Sequence, residues 1–263
     1  MRMMILLALS LLLTPFSEAR ADLRLTATLP PLTLMVRAIK PDSDVPVKVH
    51  TLITDDADPH DFHLRPSHIR LLQNSDQVIW GGERLEPHMK KILGTLPPGK
   101  IISLDAQPPA LHFWLSPLQT LKRIETIAGK LGWPISETLN ATLRKRSAEL
   151  KGTVEMLGRK KVEVWVFHPF LDALETDYGL ETQALTKGGH GLSALQMRKL
   201  EKAPNTQRCL IIEPEWKAME QKEWVRRQFV KRVHVDPLFR GADSLDQMYT
   251  DLIHSLKACL TEN

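Results

Sequence analysis

Residues 135–161, ISETLNATLRKRSAELKGTVEMLGRKK, carry no strand signal, and their reading decides how the chain is organised. Leu139, Leu143, Leu150, Val154 and Leu157 recur at spacings of three, four or seven, which places them on one face of a helix. Gly152 is a modest interruption, since a single glycine weakens a helix without ending it. The preceding stretch PLQTLKRIETIAGKLG, 117–132, is a second amphipathic helix, closed by Gly132 and Pro134. From Ser116 to about Lys161 nothing resembles a strand.

Strands appear on both sides of this helical middle. Before it, LRLTATL (23–29), VPVKVHTLI (45–53), QVIWGG (77–82) and IISLD (101–105) have the β-branched content and alternation of strands. PSHIRLLQNSD reads as a helix beginning near Ser67, the expected cap, and RLEPHMKKILGTL (84–96) as another. After the middle come the strand VEVWVF (162–167), a helix near PFLDALETDYG, the strands CLIIEPE and VHVDPLF, and a closing helix SLDQMYTDLIHSLKACL. Strands alternating with helices imply parallel sheets covered by helices. The expected fold is α/β: two (β/α) lobes, residues 22–134 and 161–263, each a mainly parallel sheet flanked by helices. One long connecting helix, 135–160, joins them. The sequence holds no internal repeat and no low-complexity segment.

The N-terminus has Arg2, then the apolar run MILLALSLLLTPF, then Ala19 and Ala21 at the small-residue positions of a cleavage site. This is the pattern of a signal peptide over residues 1–21, too short and wrongly flanked for a membrane span. An uncleaved anchor is the alternative. No cysteine stands at the cleavage point, so a lipid anchor is not expected. The working chain is expected to begin at Asp22, outside the cytoplasm, with no membrane insertion after cleavage.

Lys+Arg 35 against Asp+Glu 31 gives a formal charge of +4, with both signs scattered. No basic block with interleaved aromatics argues for nucleic acid. The two cysteines, Cys209 and Cys259, form an even pair that reads as a disulfide in an oxidising compartment, a metal-binding thiol pair being the alternative.

Ten histidines are present, and most suit surface or packing roles, His50, His68, His88 and His254 among them. Three share a position type. His60 lies in TDDADPHDFHLRPS (54–67), the loop after VKVHTLI; His112, in LHFWLSP, follows IISLD; His168 ends VWVF. Ligands of open α/β sheets bind at the carboxyl ends of strands, so these three imidazoles are placed to converge. Asp236, at the end of VHVD, has the same placement. Three imidazoles and a carboxylate fill a tetrahedral zinc shell, and Pro59, Pro169 and Pro237 beside them stiffen the backbone. The plain alternative is that each is a polar strand-end cap. There is no H-E-x-x-H motif, and the four candidates come from both lobes, which suits capture and release better than hydrolysis.

These residues resemble a known family. PHDFHLRPS, WGGERLE, HFWLSP, VFHPF followed by YGL, CLIIEPEW, VDPLF and the terminal CL occur in the order found in periplasmic metal-binding proteins of zinc and manganese ABC transporters, most closely the zinc-uptake (ZnuA) type. The resemblance implies two lobes on one rigid helix, slight lobe closure, and a metal between the lobes. It maps the metal ligands to His60, His112, His168 and Asp236, and histidine rather than glutamate at 168 tends towards zinc. In zinc-type members the Asp236 position can be weakly bound or replaced by water. The paired cysteines also resemble the zinc type.

The sequence departs from the family in several places. The long histidine-rich loop that many zinc-type members carry between their first two ligands has no counterpart in the sequence, where His63, His68 and His88 are the histidines between His60 and His112. Glu215 stands where glutamine is usual. LHFWLSP lacks an upstream aspartate, and TKGGHGLS is unlike the family. His190 in that stretch, and His63 three residues after His60, are candidates for an additional metal contact. The aspartates around His60 would favour a cation, and Asp61 would orient its ring.

The resemblance therefore implies a non-enzymatic, monomeric periplasmic solute-binding protein that captures Zn2+ and delivers it to an ABC-type membrane permease. Alternatives are the same role for Mn2+ or another divalent ion, a secreted zinc-dependent hydrolase, and surface adhesion.

Overall fold

The computed structural model describes residues 22–42, 46–54, 60, 62–105, 110–187, 190–202 and 207–261, the side chains of 187 and 190 excepted. The signal-like segment 1–21, the acidic Asp55, Asp56, Asp58 and Asp61, and Pro59 lie outside the described residues.

The N-terminal lobe contains β1 (Leu23–Ala27), α1 (Pro30–Ile39), β2 (Val47–Thr51), α2 (Pro66–Asn74), β3 (Gln77–Trp80), α3 (Met89–Leu93) and β4 (Ile101–Ser103). A 3-10 turn (Phe113–Leu115) leads into α4 (Pro117–Leu131), and α5 (Glu137–Arg159) follows. The C-terminal lobe contains β5 (Glu163–Val166), α6 (Asp172–Tyr178), β6 (Thr182–Ala184), β7 (Thr186–Lys187), β8 (His190–Leu192), α7 (Ala194–Lys202) and β9 (Arg208–Ile212). A second 3-10 turn (Pro214–Gln221), α8 (Glu223–Gln228), β10 (Lys231–His234) and α9 (Leu245–Ala258) complete it.

Each lobe is built on a four-stranded parallel sheet, in the order β2-β1-β3-β4 and β10-β9-β5-β6. Counted within its own lobe, each sheet reads second-first-third-fourth strand. The lobes therefore share one topology, although no sequence repeat announces it. Such an order places a switch point between the first and third strands, at whose carboxyl ends a crevice forms. The expected α/β fold of two lobes is thus observed.

α5 joins the lobes as its apolar stripe requires. Ser136 caps it, its Oγ accepting from Leu139 N–H at 3.2 Å. Leu143, Leu150, Val154 and Leu157 are buried. They belong to one continuous apolar cluster that runs from Leu25 and Ile79 in the first sheet to Val164, Ile211 and Leu252 in the second lobe. Arg146 of α5 grips Asp246 at the start of α9 with two hydrogen bonds of 2.8 and 3.0 Å. α4 ends at Gly132, whose φ of 67° is the left-handed stop expected of glycine there. Cys209 of β9 and Cys259 at the end of α9 form the disulfide, with Cα atoms 5.5 Å apart. Among the described residues no helix is long and apolar enough to cross a membrane.

Several local expectations are corrected. α1 was not anticipated from PPLTLMVRAI, because burial of seven of its ten residues leaves no polar face to define a stripe. Ser67 does not cap α2. The helix starts at Pro66, and the N–H of Arg65 donates instead to the ring Nδ1 of His68 at 3.0 Å. The helix expected over 84–96 shrinks to α3. Residues before it are drawn into turns in which the N–H groups of Leu85 and Glu86 bond to the carbonyl of Gly82. The short elements β6, β7, β8, α7 and α8 were not anticipated either.

Candidate metal centre

Three chain segments meet at the carboxyl ends of the two sheets. His60 follows β2, His112 follows β4 and heads the first 3-10 turn, and His168 follows β5 by two residues. The first two are on one lobe and the third on the other. Their ring centroids are 5.6 Å (His60–His112), 5.4 Å (His60–His168) and 5.2 Å (His112–His168) apart. One nitrogen from each can be chosen so that all lie within 4.8 Å of one another. Imidazoles around a tetrahedral zinc ion have nitrogens about 3.3 Å apart, from Zn–N bonds of about 2.0–2.1 Å. Modest side-chain rotation closes that difference. Among the described residues this is the one cluster of three or more such donors.

His112 is held from several directions. It is 3% exposed, and its Nδ1 lies 3.1 Å from Oδ1 of Asp172, the first residue of α6 on the opposite lobe. The same carboxylate accepts the backbone N–H groups of Leu111 at 2.5 Å and His112 at 3.3 Å. Burial pushes the Asp172 carboxyl up, but its contact with the His112 ring and the hydrogen bonds from those two amides outweigh it and leave the pKa below the ordinary range. The segment around His112 is a seam between lobes. Trp114 Nε1 donates to the carbonyl of Pro237 at 2.7 Å, and Tyr249 OH donates to the carbonyl of Trp114 at 2.8 Å. Ser116 Oγ donates to Asp177 of α6.

His168 is fixed through its backbone, whose N–H donates to Oε1 of Glu213 at 2.9 Å. Glu213 follows β9 directly and is fully buried, and that burial pushes its carboxyl up to about 8. Glu86 plays the matching part in the first lobe. Its Oε2 accepts from Thr28 Oγ1, past β1, at 2.7 Å and from Gly81 N–H, past β3, at 3.0 Å. Each glutamate thus plugs the switch-point crevice of its own sheet.

The other candidates stand apart. Asp236, expected as the fourth ligand, is not in the cluster. Its carboxylate accepts from Arg240 Nη1 at 2.8 Å and from the N–H groups of Leu238 and Arg240, both at 3.0 Å. The turn that begins at VDPLF provides those donors locally. His63 is exposed and outside the cluster. The backbone of His190 pairs with Lys187 in the β7–β8 hairpin, and its side chain lies outside the described residues, as does Asp61. Asp172, Glu86 and Glu213 were not singled out by sequence reasoning, although the motifs WGGERLE and CLIIEPEW contain two of them. Asp172 gave no signal, because it sits within an ordinary amphipathic helix pattern.

Comparison with known proteins agrees with this fold. The high-affinity zinc uptake system protein ZnuA of Haemophilus ducreyi is 22% identical over an alignment covering 93% of this chain and 94% of that protein. The periplasmic zinc-binding protein TroA from Treponema pallidum has the same fold, with a TM-score of 0.72, 18% identity, and 92% of this chain and all of that one covered. FpvC from Pseudomonas aeruginosa, solved in complex with Mn2+, superposes with a TM-score of 0.67 at 22% identity, covering 91% of this chain and 99% of that one. The profile of the family described as zinc-uptake complex component A, periplasmic, matches residues 25–259, and the chain belongs to this ZnuA family.

Proposed function

We propose that this protein captures Zn2+ in the periplasm, between its two lobes, and delivers it to the membrane permease of an ABC-type uptake system. The observation that carries this reading is the convergence of His60, His112 and His168, from both lobes, within 4.8 Å. Family membership supports the role, and the zinc-uptake name of the Haemophilus ducreyi relative supports the ion. Neutral imidazole is a borderline donor that suits zinc, whereas manganese favours carboxylate and carbonyl oxygen. The three rings take three positions of a tetrahedron, and the fourth stays open to Asp236, here bonded to Arg240, or to solvent.

In this reading residues 1–21 direct export and are removed, and the protein acts as a monomer without catalysis. Residues 22–134 bring His60 and His112, residues 161–263 bring His168, and the segment 135–160 keeps the two halves in register. A donor set split between lobes releases its ion by small displacements of one lobe against the other. A second reading keeps the centre and exchanges the ion for Mn2+, since FpvC, a structural neighbour, was solved with Mn2+.

Native mass spectrometry of the chelator-stripped chain 22–263, offered equimolar Zn2+ and Mn2+, separates the two. One Zn2+ per chain is expected, with occupancy falling as pH drops through about 6, because protonated imidazole does not coordinate. Preferential Mn2+ loading overturns the choice of ion, and absence of any bound metal overturns the function.

A further inference from the structure

The environment of His112 supports an inference that rests on the zinc-carrier reading and refines it. A carboxylate of α6, on the C-terminal lobe, receives the backbone N–H groups of two consecutive residues of the N-terminal lobe, Leu111 and His112, and lies 3.1 Å from the ring Nδ1 of His112. Each oxygen of Asp172 already accepts a backbone N–H, so the carboxyl acts as the acceptor in this contact and the facing His112 nitrogen as the donor. That nitrogen is Nδ1, which leaves the lone pair on Nε2 for a metal. His112 is nearly inaccessible, so water is poorly placed to replace this partner. Trp114 and Phe170 stand edge-on to the same ring, at 5.5 and 6.5 Å between centroids, and confine its tilt without choosing its tautomer. A second acid of the same helix, Asp177, takes Ser116 Oγ and, at 3.1 Å, Gln119 Nε2, so α6 grips the His112 segment at two points.

We propose that Asp172 is a positioning residue for the metal centre: acting across the lobe boundary, it fixes His112 with its proton on Nδ1 and its Nε2 free to bind zinc. The lobe that carries His168 thereby also sets the ring of His112. Loss of contact between the lobes at α6 would disorder one ligand while displacing another, which couples lobe separation to release of the ion.

The test compares the mature protein with its Asp172→Asn and Asp172→Ala variants. Zinc affinity is measured by competition with a chromophoric chelator, and the His112 tautomer by 15N-edited NMR of the metal-free protein. In the parent, the His112 proton is expected on Nδ1; a proton on Nε2 overturns the proposal without need of any variant. Asp172→Ala is expected to weaken zinc binding about 10–100-fold, the range typical of partners that orient a ligand, and to release the tautomer. Asp172→Asn turns one of the two acceptor oxygens into an N–H donor with little change of shape, so it is expected to weaken zinc binding as well and to move the His112 proton towards Nε2; parent-like affinity and tautomer in this variant would overturn the proposal. If Asp172→Ala lowers thermal stability but leaves both affinity and tautomer unchanged, Asp172 only joins the lobes and the proposal fails. If His112→Ala binds zinc as tightly as the parent, the carrier reading itself fails, a different outcome from failure at Asp172 alone.

Discussion

Glu86 carries a cost that solution measurements can reveal. Its carboxyl is fully buried, and burial raises its pKa from an ordinary 4.5 to about 8, even though Thr28 and Gly81 hydrogen-bond to it. A folded-state pKa above the unfolded one means that the folded protein binds the proton more tightly. The associated stability is complete below pH 4.5 and is lost as pH rises towards 8. The slope of that loss is about 1.4 kcal/mol per pH unit for one group. Glu86→Gln, which is neutral throughout, should therefore flatten the decline in stability between pH 5 and 8 by about that slope. Urea unfolding at several pH values measures it, and identical slopes in parent and variant would refute the assignment. This role was illegible in the sequence because the partner Thr28 lies 58 residues earlier. Asp172 was illegible for the same reason, its partners Leu111 and His112 being about sixty residues away. The three histidines were legible because each directly follows or lies near the end of a strand that the alternation pattern exposes.

At the scale of elements, α5 was the most readable part of the chain. Its apolar spacing agrees with the buried stripe of Leu143, Leu150, Val154 and Leu157. Leu150, fully buried at the middle of the stripe, tests the claim that the helix belongs to the core of both lobes. Leu150→Ala should destabilise the protein by about 2–5 kcal/mol through lost burial and a residual cavity. Thermal unfolding should show a fall in Tm of several degrees. A change below about 1 kcal/mol would mean that the helix is peripheral. Where the reading failed, the physical signal was weak. α1 is buried nearly all round, and the region 182–202 consists of two- and three-residue strands and a polar helix, too short for periodicity to register. Asp236 was placed correctly at a strand end, but its surroundings depend on Arg240 four residues on, which the strand pattern does not report.

Across the whole molecule, two lobes of one topology face each other with their strand ends converging. The sequence shows no repeat because the shared feature is strand order, which many unrelated sequences satisfy. In each lobe a buried glutamate fills the crevice where a ligand of a single-sheet protein would sit. The cluster of His60, His112 and His168 lies outside those crevices, at the boundary where segments from both lobes meet. Trp114 and Tyr249 tie that boundary together, through Trp114 Nε1 to the carbonyl of Pro237 and Tyr249 OH to the carbonyl of Trp114, and α5 packs into one core with both lobes. In the proposed function this arrangement is a site assembled from both halves, which holds or releases an ion through small movements. The most direct test of this account is a crystal structure of the mature protein grown with Zn2+. The account predicts one zinc ion between the lobes with a ring nitrogen of each of His60, His112 and His168 at about 2.0–2.1 Å. A zinc ion bound elsewhere, or held by fewer than these three rings, would contradict it.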